Sequence, residues 1–273
     1  MSSDQGIVCY REFLVGRDGE ADLLGHRLSK REAFFDRLAR SPVRSSASID
    51  RVTYFRNMAR RRPERGLGER MLWILATAKT NQAERFGVGL AELFGRVNTD
   101  SDPARIHVSL QETYHTRILA DVVAMFGLPV RARPPRASVR IMIRFMVRAP
   151  ETWTLPLVGA SEMAGCVLFR ALRDKGVELF ADEPVVAERI RLLYNEILAD
   201  EIGHVGFVAA RLDERGRSLA RWLYARMGSW FALQPAEIAA LFGRKEMTRR
   251  LSTFHLAEAA AELPNLTFAA ASI

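Results

Sequence analysis

Apolar residues recur along most of this chain at spacings of three and four, which is the pattern of amphipathic helices. The pattern predicts four long helices, which cover about residues 66–95, 102–126, 157–175 and 184–215. Asp102 and Pro103 fall at the predicted cap and first turn of the second helix, and Gly127 and Gly176 follow the predicted ends of the second and third. No segment shows the two-residue alternation of a strand, so the chain is predicted to be all-α.

Shorter helices are predicted before, between and after these four. One covers Ala21–Ala39 within an N-terminal extension, residues 1–46, and a second begins after the capping segment Ser46–Asp50 and ends near Arg61. A basic connector and a short helix together cover about residues 131–148. Three further short helices are predicted at the C-terminal end, after Gly216, Pro235 and Gly243.

The length and composition favour one large domain. With 273 residues and 48% hydrophobic residues, the chain can bury a single core, and no low-complexity linker divides it. We therefore expect one domain over residues 47–262, with a core at 66–215 and a tail at 263–273. The most apolar stretch, Thr152–Leu172, contains Glu162 and continues a helical pattern, which indicates a buried helix and not a membrane span.

Charge and cysteine content narrow the class of protein further. The net charge is +8, and the arginine-rich runs Arg56–Arg70 and Arg131–Arg148 concentrate it. We interpret these runs mainly as solvated surface, with a docking face for an acidic partner as the alternative. No nucleic-acid-binding motif accompanies them, so nucleic acid is not expected as a partner. Two cysteines without metal-site spacing, Cys9 and Cys166, and an N-terminus without a long apolar run favour the cytoplasm.

Two of the five histidines lie three residues after a glutamate within a predicted long helix. Residues three apart share one face of a helix, so such a pair can deliver a carboxylate and an imidazole to one metal ion. Each of these two helices is preceded by a long helix that carries a further glutamate. The resulting candidate metal ligands are Glu84, Glu112, His115, Glu162, Glu201 and His204.

The distance from the connecting turn selects Glu84 on the first long helix. In antiparallel neighbours, residues equally far from the turn lie at the same height. Glu112 follows the turn at Asp100 and Glu84 precedes it at a comparable distance, whereas Glu92 is much nearer to the turn. From the helical rise per residue, the heights of Glu112, Glu84 and Glu92 are roughly 18, 24 and 12 Å, and His115 extends the upper range to roughly 22 Å. Glu84 therefore matches the Glu-x-x-His pair better than Glu92 does.

The same comparison selects Glu162 in the second half of the chain. Glu162 precedes the turn at Ala181, and Glu201 follows that turn at almost the same distance. The face that carries each Glu-x-x-His pair continues in apolar residues, so the ligands are predicted to point into the core. Burying unpaired carboxylates costs several kcal/mol each, and metal ions are the simplest charge that compensates them.

With this pattern the chain resembles the ferritin-like di-iron carboxylate superfamily, over roughly residues 66–215. The resemblance implies a four-helix bundle with additional terminal helices, two iron ions and O₂ as co-substrate. It also implies that Glu112 and Glu201 bridge the two ions, while Glu84 and Glu162 are terminal ligands. The ligand set suits a mixed manganese–iron pair as well.

Neighbouring residues distinguish branches of that superfamily. Leu119 occupies the position of the tyrosine in the radical-generating reductase subunits, and Ile197 that of the third histidine in arylamine N-oxygenases. Iron-storage ferritins are shorter and usually acidic. Asp200 before Glu201 is similar to the Asp-Glu-x-x-His of bacterial monooxygenases and acyl-carrier-protein desaturases. We expect Asp200, and Gln111 at the equivalent position of the other pair, to accept hydrogen bonds from the ligand histidines.

A substrate pocket is expected beside the ligands. Cys166 lies one turn beyond Glu162 and is predicted to face the substrate pocket. The alternative is that it is only a buried cysteine of the core. The other candidates for the pocket wall are Met163, Phe86, Tyr114, Phe207 and Ile197. Glu196 lies on a different face from Glu201 and is predicted to be a salt-bridge partner within the protein, not a seventh ligand.

The resulting functional hypothesis is an O₂-activating di-iron oxygenase acting on a small organic substrate by hydroxylation, N-oxygenation or desaturation. An external electron donor is expected, because no flavin, iron–sulfur or dinucleotide-binding motif is present. An acidic carrier protein bearing the substrate is one candidate partner, and a homodimer is left open. Two alternatives remain: a ferroxidase without an organic substrate, and a metal-free helical bundle that binds a partner.

Overall fold

The computed structural model describes residues 3–19, 21–22, 27–97, 103–130 and 148–263. Helices account for most of this part of the chain, which confirms the all-α prediction. The helices are α1 Ser3–Asp18, α2 Ser29–Arg40, α3 Arg51–Ala59, α4 Glu69–Val97, α5 Pro103–Ala124, α6 Glu151–Leu179, α7 Pro184–Arg211, α8 Glu214–Ala232, α9 Ala236–Phe242, α10 Arg244–Ser252 and α11 Leu256–Ala261. One antiparallel pair of two-residue strands, β1 Ala21–Asp22 and β2 Arg27–Leu28, lies between α1 and α2.

The four long helices α4 to α7 surround one apolar core. Helix α4 packs on α5 and on α6, and α7 packs on α5 and on α6. Trp73 is fully buried among them, and its indole nitrogen donates a 2.8 Å hydrogen bond to the carbonyl of Leu172. Burying an aromatic ring of this size contributes a large share of a core's stability, and the hydrogen bond satisfies its one polar atom.

The third long helix is longer than predicted. Helix α6 begins at Glu151 and runs through both Pro156 and Gly176, which flank its predicted range of 157–175. Gly176 faces the indole of Trp73, and a Cβ at this position would overlap that ring. The glycine is therefore required by close packing between α4 and α6 and not by a helix end.

Most other helix ends agree with the sequence signals. The side chain of Asp50 accepts hydrogen bonds from the backbone nitrogens of Val52 and Thr53 and caps α3. Gly127, at φ +68°, follows the end of α5 in the left-handed region that favours glycine. Asp213 caps α8, so the fourth long helix ends at Arg211 and not at Arg215.

The N-terminal segment differs most from its prediction. Instead of one helix over Ala21–Ala39, the chain forms α1, the small hairpin and α2. Helix α1 packs on α7 and α5. Gly203 allows the close approach, because a Cβ there would lie 2.7 Å from Cε1 of Phe13. The predicted extension is thus part of the packed structure.

Helix α8 is another departure from the prediction, since a short helix was expected where nineteen residues pack along α6.

Among the described residues, α6 is the helix long and apolar enough to span a membrane, and 56% of its apolar window is buried inside the protein. This burial is consistent with a soluble protein. The predicted connector and short helix (about residues 131–148, except Arg148), the predicted cap Asp102 and the predicted tail (263–273, except Leu263) lie outside the described residues.

Candidate metal centre

Six acidic and histidine side chains meet between the four long helices. They are the six candidate ligands predicted from the sequence: Glu84 from α4, Glu112 and His115 from α5, Glu162 from α6, and Glu201 and His204 from α7. They form two groups of four, and in each group the ligand atoms lie within 4.8 Å of one another. Glu84 and His115 belong to one group, Glu162 and His204 belong to the other, and Glu112 and Glu201 belong to both.

In the first group, His115 points its Nδ1 atom at three carboxylates. This atom lies 3.4 Å from Glu201, 3.5 Å from Glu84 and 3.9 Å from Glu112. The imidazole is fully buried, and Nδ1 has no hydrogen-bond partner among the described residues. A buried nitrogen without a partner is uncommon, and one surrounded by carboxylate oxygens has the environment of a ligand to a cation. The residues present therefore fit a metal ion.

The second group has the same arrangement around His204. Its Nδ1 atom lies 3.3 Å from Oε1 of Glu112 and 3.4 Å from Oε2 of Glu162. The side chain of His204 is 2% exposed. The two imidazole rings have their centroids 5.8 Å apart and present the same nitrogen to the carboxylates.

The outer nitrogens of both histidines contact the residues that precede the paired glutamates. Nε2 of His115 lies 3.1 Å from Oδ2 of Asp200, and Nε2 of His204 lies 2.9 Å from Oε1 of Gln111. Carboxylate and amide oxygens only accept, so each Nε2 donates. Asp200 on α7 accepts from His115 on α5, and Gln111 on α5 accepts from His204 on α7. The contacts expected for Asp200 and Gln111 are present in this crossed form, so Nδ1 is the nitrogen of each histidine that faces the candidate ligand carboxylates. In His204 that nitrogen hydrogen-bonds to Oε2 of Glu162, at 3.4 Å.

Burial and mutual repulsion perturb the carboxylates. Burial, followed by the charges of Glu84 and Glu162, raises the pKa of Glu112 well above its usual range. Burial and the neighbouring carboxylates raise the pKa of Glu201 in the same direction. Burial alone would lower the pKa of His115, but the hydrogen bond to Asp200 and the charge of Glu112 raise it to about 10. Without a cation the cluster therefore retains protons that a bound metal ion would displace.

The centre is not sealed from solvent on all sides. The side chains of Glu84, Glu112 and Glu162 are 16%, 14% and 18% exposed, whereas Glu201 is 5% exposed and His115 is fully buried. The more exposed carboxylates include both predicted terminal ligands. These three carboxylates are thus in partial contact with solvent.

Gly165 is a part of the site that the sequence analysis did not identify. A Cβ at this position would lie 2.9 Å from Oε2 of Glu201, so only glycine leaves that carboxylate in place. The sequence offered one signal that could have identified Gly165: it lies three residues after Glu162, on the same face of the helix.

The N-terminal segment supplies a second unexpected part of the site. Arg17 donates to Oδ1 of Asp200 at 2.7 Å, and Arg31 pairs with the same oxygen. Both arginines also pair with Glu196, at 3.0 and 2.6 Å. Glu196 belongs to neither ligand group and has the salt-bridge role that was predicted for it, although its partners were not anticipated.

The predicted pocket residues fall into two sets. Cys166 and Ile197 are fully buried, and Met163 is half-buried against the main core. Burial, followed by the charge of Glu162, raises the pKa of the Cys166 thiol well above its usual range, so this thiol is neutral. These three side chains provide an uncharged environment on the helices that carry Glu162 and Glu201.

Two other pocket candidates contact residues of the N-terminal segment. Tyr114 donates from its hydroxyl to Glu32 at 2.6 Å and stacks on Phe35, because a residue two after Glu112 is on the opposite face of α5. Phe207 packs on Tyr10 of α1, with ring centroids 4.9 Å apart. The side chain of the remaining candidate, Phe86, lies outside the part of the chain that the structure describes.

Comparisons with known proteins identify no relative. A scan against protein-family models gives no match, and searches of curated proteins and of solved structures give none either. The helical architecture and the cluster of acidic and histidine residues, which could hold a metal ion, are compatible with a ferritin-like fold. The interpretation of the site therefore depends on its geometry and chemistry.

Proposed function

We propose that the protein is an O₂-activating di-iron oxygenase that oxidises a small organic substrate. The observation that supports this most directly is that Glu112 and Glu201 belong to both ligand groups, while each group has its own histidine and its own second glutamate. Two cations that share two carboxylates would lie side by side. Bound there in reduced form, a pair of iron ions supplies electrons for the reduction of O₂.

The charges of the six ligands suit two divalent ions. Four carboxylates and two neutral imidazoles have a formal charge that two divalent cations balance, which removes the cost of burying the carboxylates. Carboxylate oxygen with imidazole nitrogen suits iron and manganese. In this proposal Glu84 and His115 complete the coordination of one ion, and Glu162 and His204 complete that of the other.

The surroundings of the cluster support an organic substrate. Cys166 lies one turn beyond Glu162, and its neutral thiol and the apolar side chain of Ile197 form part of the buried, uncharged interior. The exposed edges of Glu84 and Glu112 provide access from solvent. Hydroxylation, N-oxygenation and desaturation all fit this environment, and the electrons would come from a separate donor protein.

Anaerobic titration with Fe(II) followed by exposure to O₂ tests the proposal. We expect two iron ions per chain and a transient visible absorption after O₂ is added. The ions should then remain bound to the protein in the ferric state until a reductant returns them to the ferrous state. Stable protein that binds no iron would contradict the metal centre and favour a metal-free bundle. Release of ferric ions into solution during repeated additions of Fe(II) and O₂ would favour the ferroxidase alternative.

A further inference from the structure

Asp18, the last residue of α1, is buried and fully bonded near the metal centre. Its Oδ1 atom accepts from Nε of Arg31 at 2.7 Å. Its Oδ2 atom accepts from Nε2 of His107 at 2.8 Å and from Nε2 of Gln111 at 2.7 Å. Although burial raises the pKa of Asp18, the charge of Arg31 and the bond to His107 outweigh this and lower it. Asp18 is therefore an ionised carboxylate that can only accept hydrogen bonds.

Gln111 joins Asp18 to one of the two candidate ligand histidines. Its amide nitrogen lies 2.7 Å from Asp18 and 3.2 Å from Oδ1 of Asp200. The carboxylates require a donor, so the NH₂ group faces them and the amide oxygen faces Nε2 of His204, at 2.9 Å. That oxygen accepts from Nε2, so an ion that binds His204 must bind through Nδ1, which lies 3.3 Å from Glu112 and hydrogen-bonds to Glu162 at 3.4 Å in the absence of an ion.

Asp18 holds this orientation more firmly than Asp200 does. Its contact with the amide nitrogen is the shorter of the two, and Oδ1 of Asp200 already accepts from both Arg17 and Arg31. His115 does not depend on Gln111, because Asp200 accepts from its Nε2 directly. The two candidate ligand histidines are thus oriented by different residues: His115 by Asp200, and His204 by Gln111 and Asp18.

We propose that Asp18 is a positioning residue for one metal position: through the amide of Gln111 it sets the tautomer in which His204 binds an ion. This inference rests on the proposed function in that the group containing His204 must bind a metal. It goes further because it makes one of the two positions depend on the N-terminal helix.

The substitution Asp18→Asn should reverse the chain of hydrogen bonds. Arg31 attracts the oxygen of the new amide, whose NH₂ group then faces Gln111. The Gln111 amide turns to accept from it and directs its own NH₂ group at Nε2 of His204. That nitrogen must then accept, so its proton moves to Nδ1 and blocks the lone pair that would bind the ion.

Anaerobic calorimetric titration with Fe(II) tests this on the full chain. Wild type should bind two ions, and Asp18→Asn should weaken one of them about 10- to 100-fold while the other changes by less than about threefold. Asp36→Asn is the matched control, since Asp36 is exposed on α2, and it should behave as wild type. Equal weakening of both ions, or no change in either, would overturn the inference.

A double-mutant cycle separates positioning from a general effect on packing. Gln111→Met removes the amide and should cause the same selective loss, and Asp18→Asn should add little in that background. Losses that add fully would show that Asp18 does not act through Gln111. Thermal unfolding of the metal-free proteins reports whether each variant folds. If Asp18→Asn does not fold, the iron affinities of Gln111→Met alone test whether the amide selectively supports one metal position. Wild type that binds no iron would defeat the proposed function and this inference together, whereas two tight ions in every variant would defeat the inference alone.

Discussion

The imidazole of His115 on α5 donates from Nε2 to Oδ2 of Asp200 on α7, across 3.1 Å. Asp200 immediately precedes Glu201, so two consecutive residues of α7 contribute a shared carboxylate and the support for a histidine of another helix. The other oxygen of Asp200 accepts from Arg17 and Arg31. The hydrogen bond thus connects the two Glu-x-x-His helices with the N-terminal segment.

Glutamates that belong to both groups should matter more for metal binding than those that belong to one. We expect Glu201→Ala to abolish tight binding of both ions and Glu84→Ala to leave one ion bound, because Glu84 belongs only to the group of His115. Iron per chain after anaerobic loading and desalting is the measurement. Glu188→Ala is the control, since this residue is exposed on the same helix as Glu201, and it should retain both ions. Equal iron contents in the Glu84 and Glu201 variants would contradict the shared arrangement.

The metal-free protein should become more stable when Glu201 is replaced by glutamine, which cannot ionise. Burial raises the pKa of Glu201, so the folded protein binds a proton that the unfolded chain releases above about pH 4.3. Stability is therefore lost as pH rises from that value through the raised pKa. We expect Glu201→Gln to stabilise the metal-free protein by about 1–2 kcal/mol at pH 7. Urea unfolding at pH 5 and pH 8 checks this. The gain should be larger at pH 8, and a variant less stable than wild type at both values would refute the argument.

Gly165→Ala should weaken metal binding without unfolding the protein. The new methyl group would meet the end of the flexible Glu201 side chain, which can move aside, and alanine is the better helix former by about 1 kcal/mol. We expect an unchanged or higher unfolding midpoint, with iron affinity reduced about tenfold because the shared carboxylate is displaced. Gly228→Ala on α8 is the comparison, since its new Cβ would be 3.4 Å or more from its neighbours. Unaltered iron affinity in Gly165→Ala would show that the close approach has no role in binding.

Removal of Arg31 should destabilise the fold itself. Its side chain is 3% exposed and pairs with Asp18, Asp200 and Glu196. Arg31→Met removes the guanidinium that contacts Asp18 and one of the two that contact Asp200, and we expect a loss of about 3–5 kcal/mol in the free energy of unfolding. Arg37→Met, at an exposed position of the same helix, should change it by less than about 0.5 kcal/mol. Urea denaturation of both metal-free variants makes the comparison, and similar losses would argue against a role for the buried network.

The candidate ligands could be predicted from sequence because their signals are local. Three-residue spacing within a helix places Glu112 beside His115, and counting residues from a short turn compares heights on adjacent antiparallel helices. This count selected Glu84 and Glu162, and the structure brings both to the two groups. Helix periodicity predicted the all-α fold for the same reason, since each amphipathic stripe is contained within its own segment.

The sequence by itself thus determined the helical class, the existence of the four long helices and the six side chains that converge, because periodicity and turn distance act within one helix or between neighbours in the chain. Only the tertiary structure decided what supports them. Asp18 and Gln111 are 93 residues apart when they bond, and Arg17 and Asp200 are 183 apart. Bonds of this kind depend on packing between distant segments, for which no spacing rule exists. Gly176 and Gly165 illustrate the same limit, because each is required by a side chain of another helix.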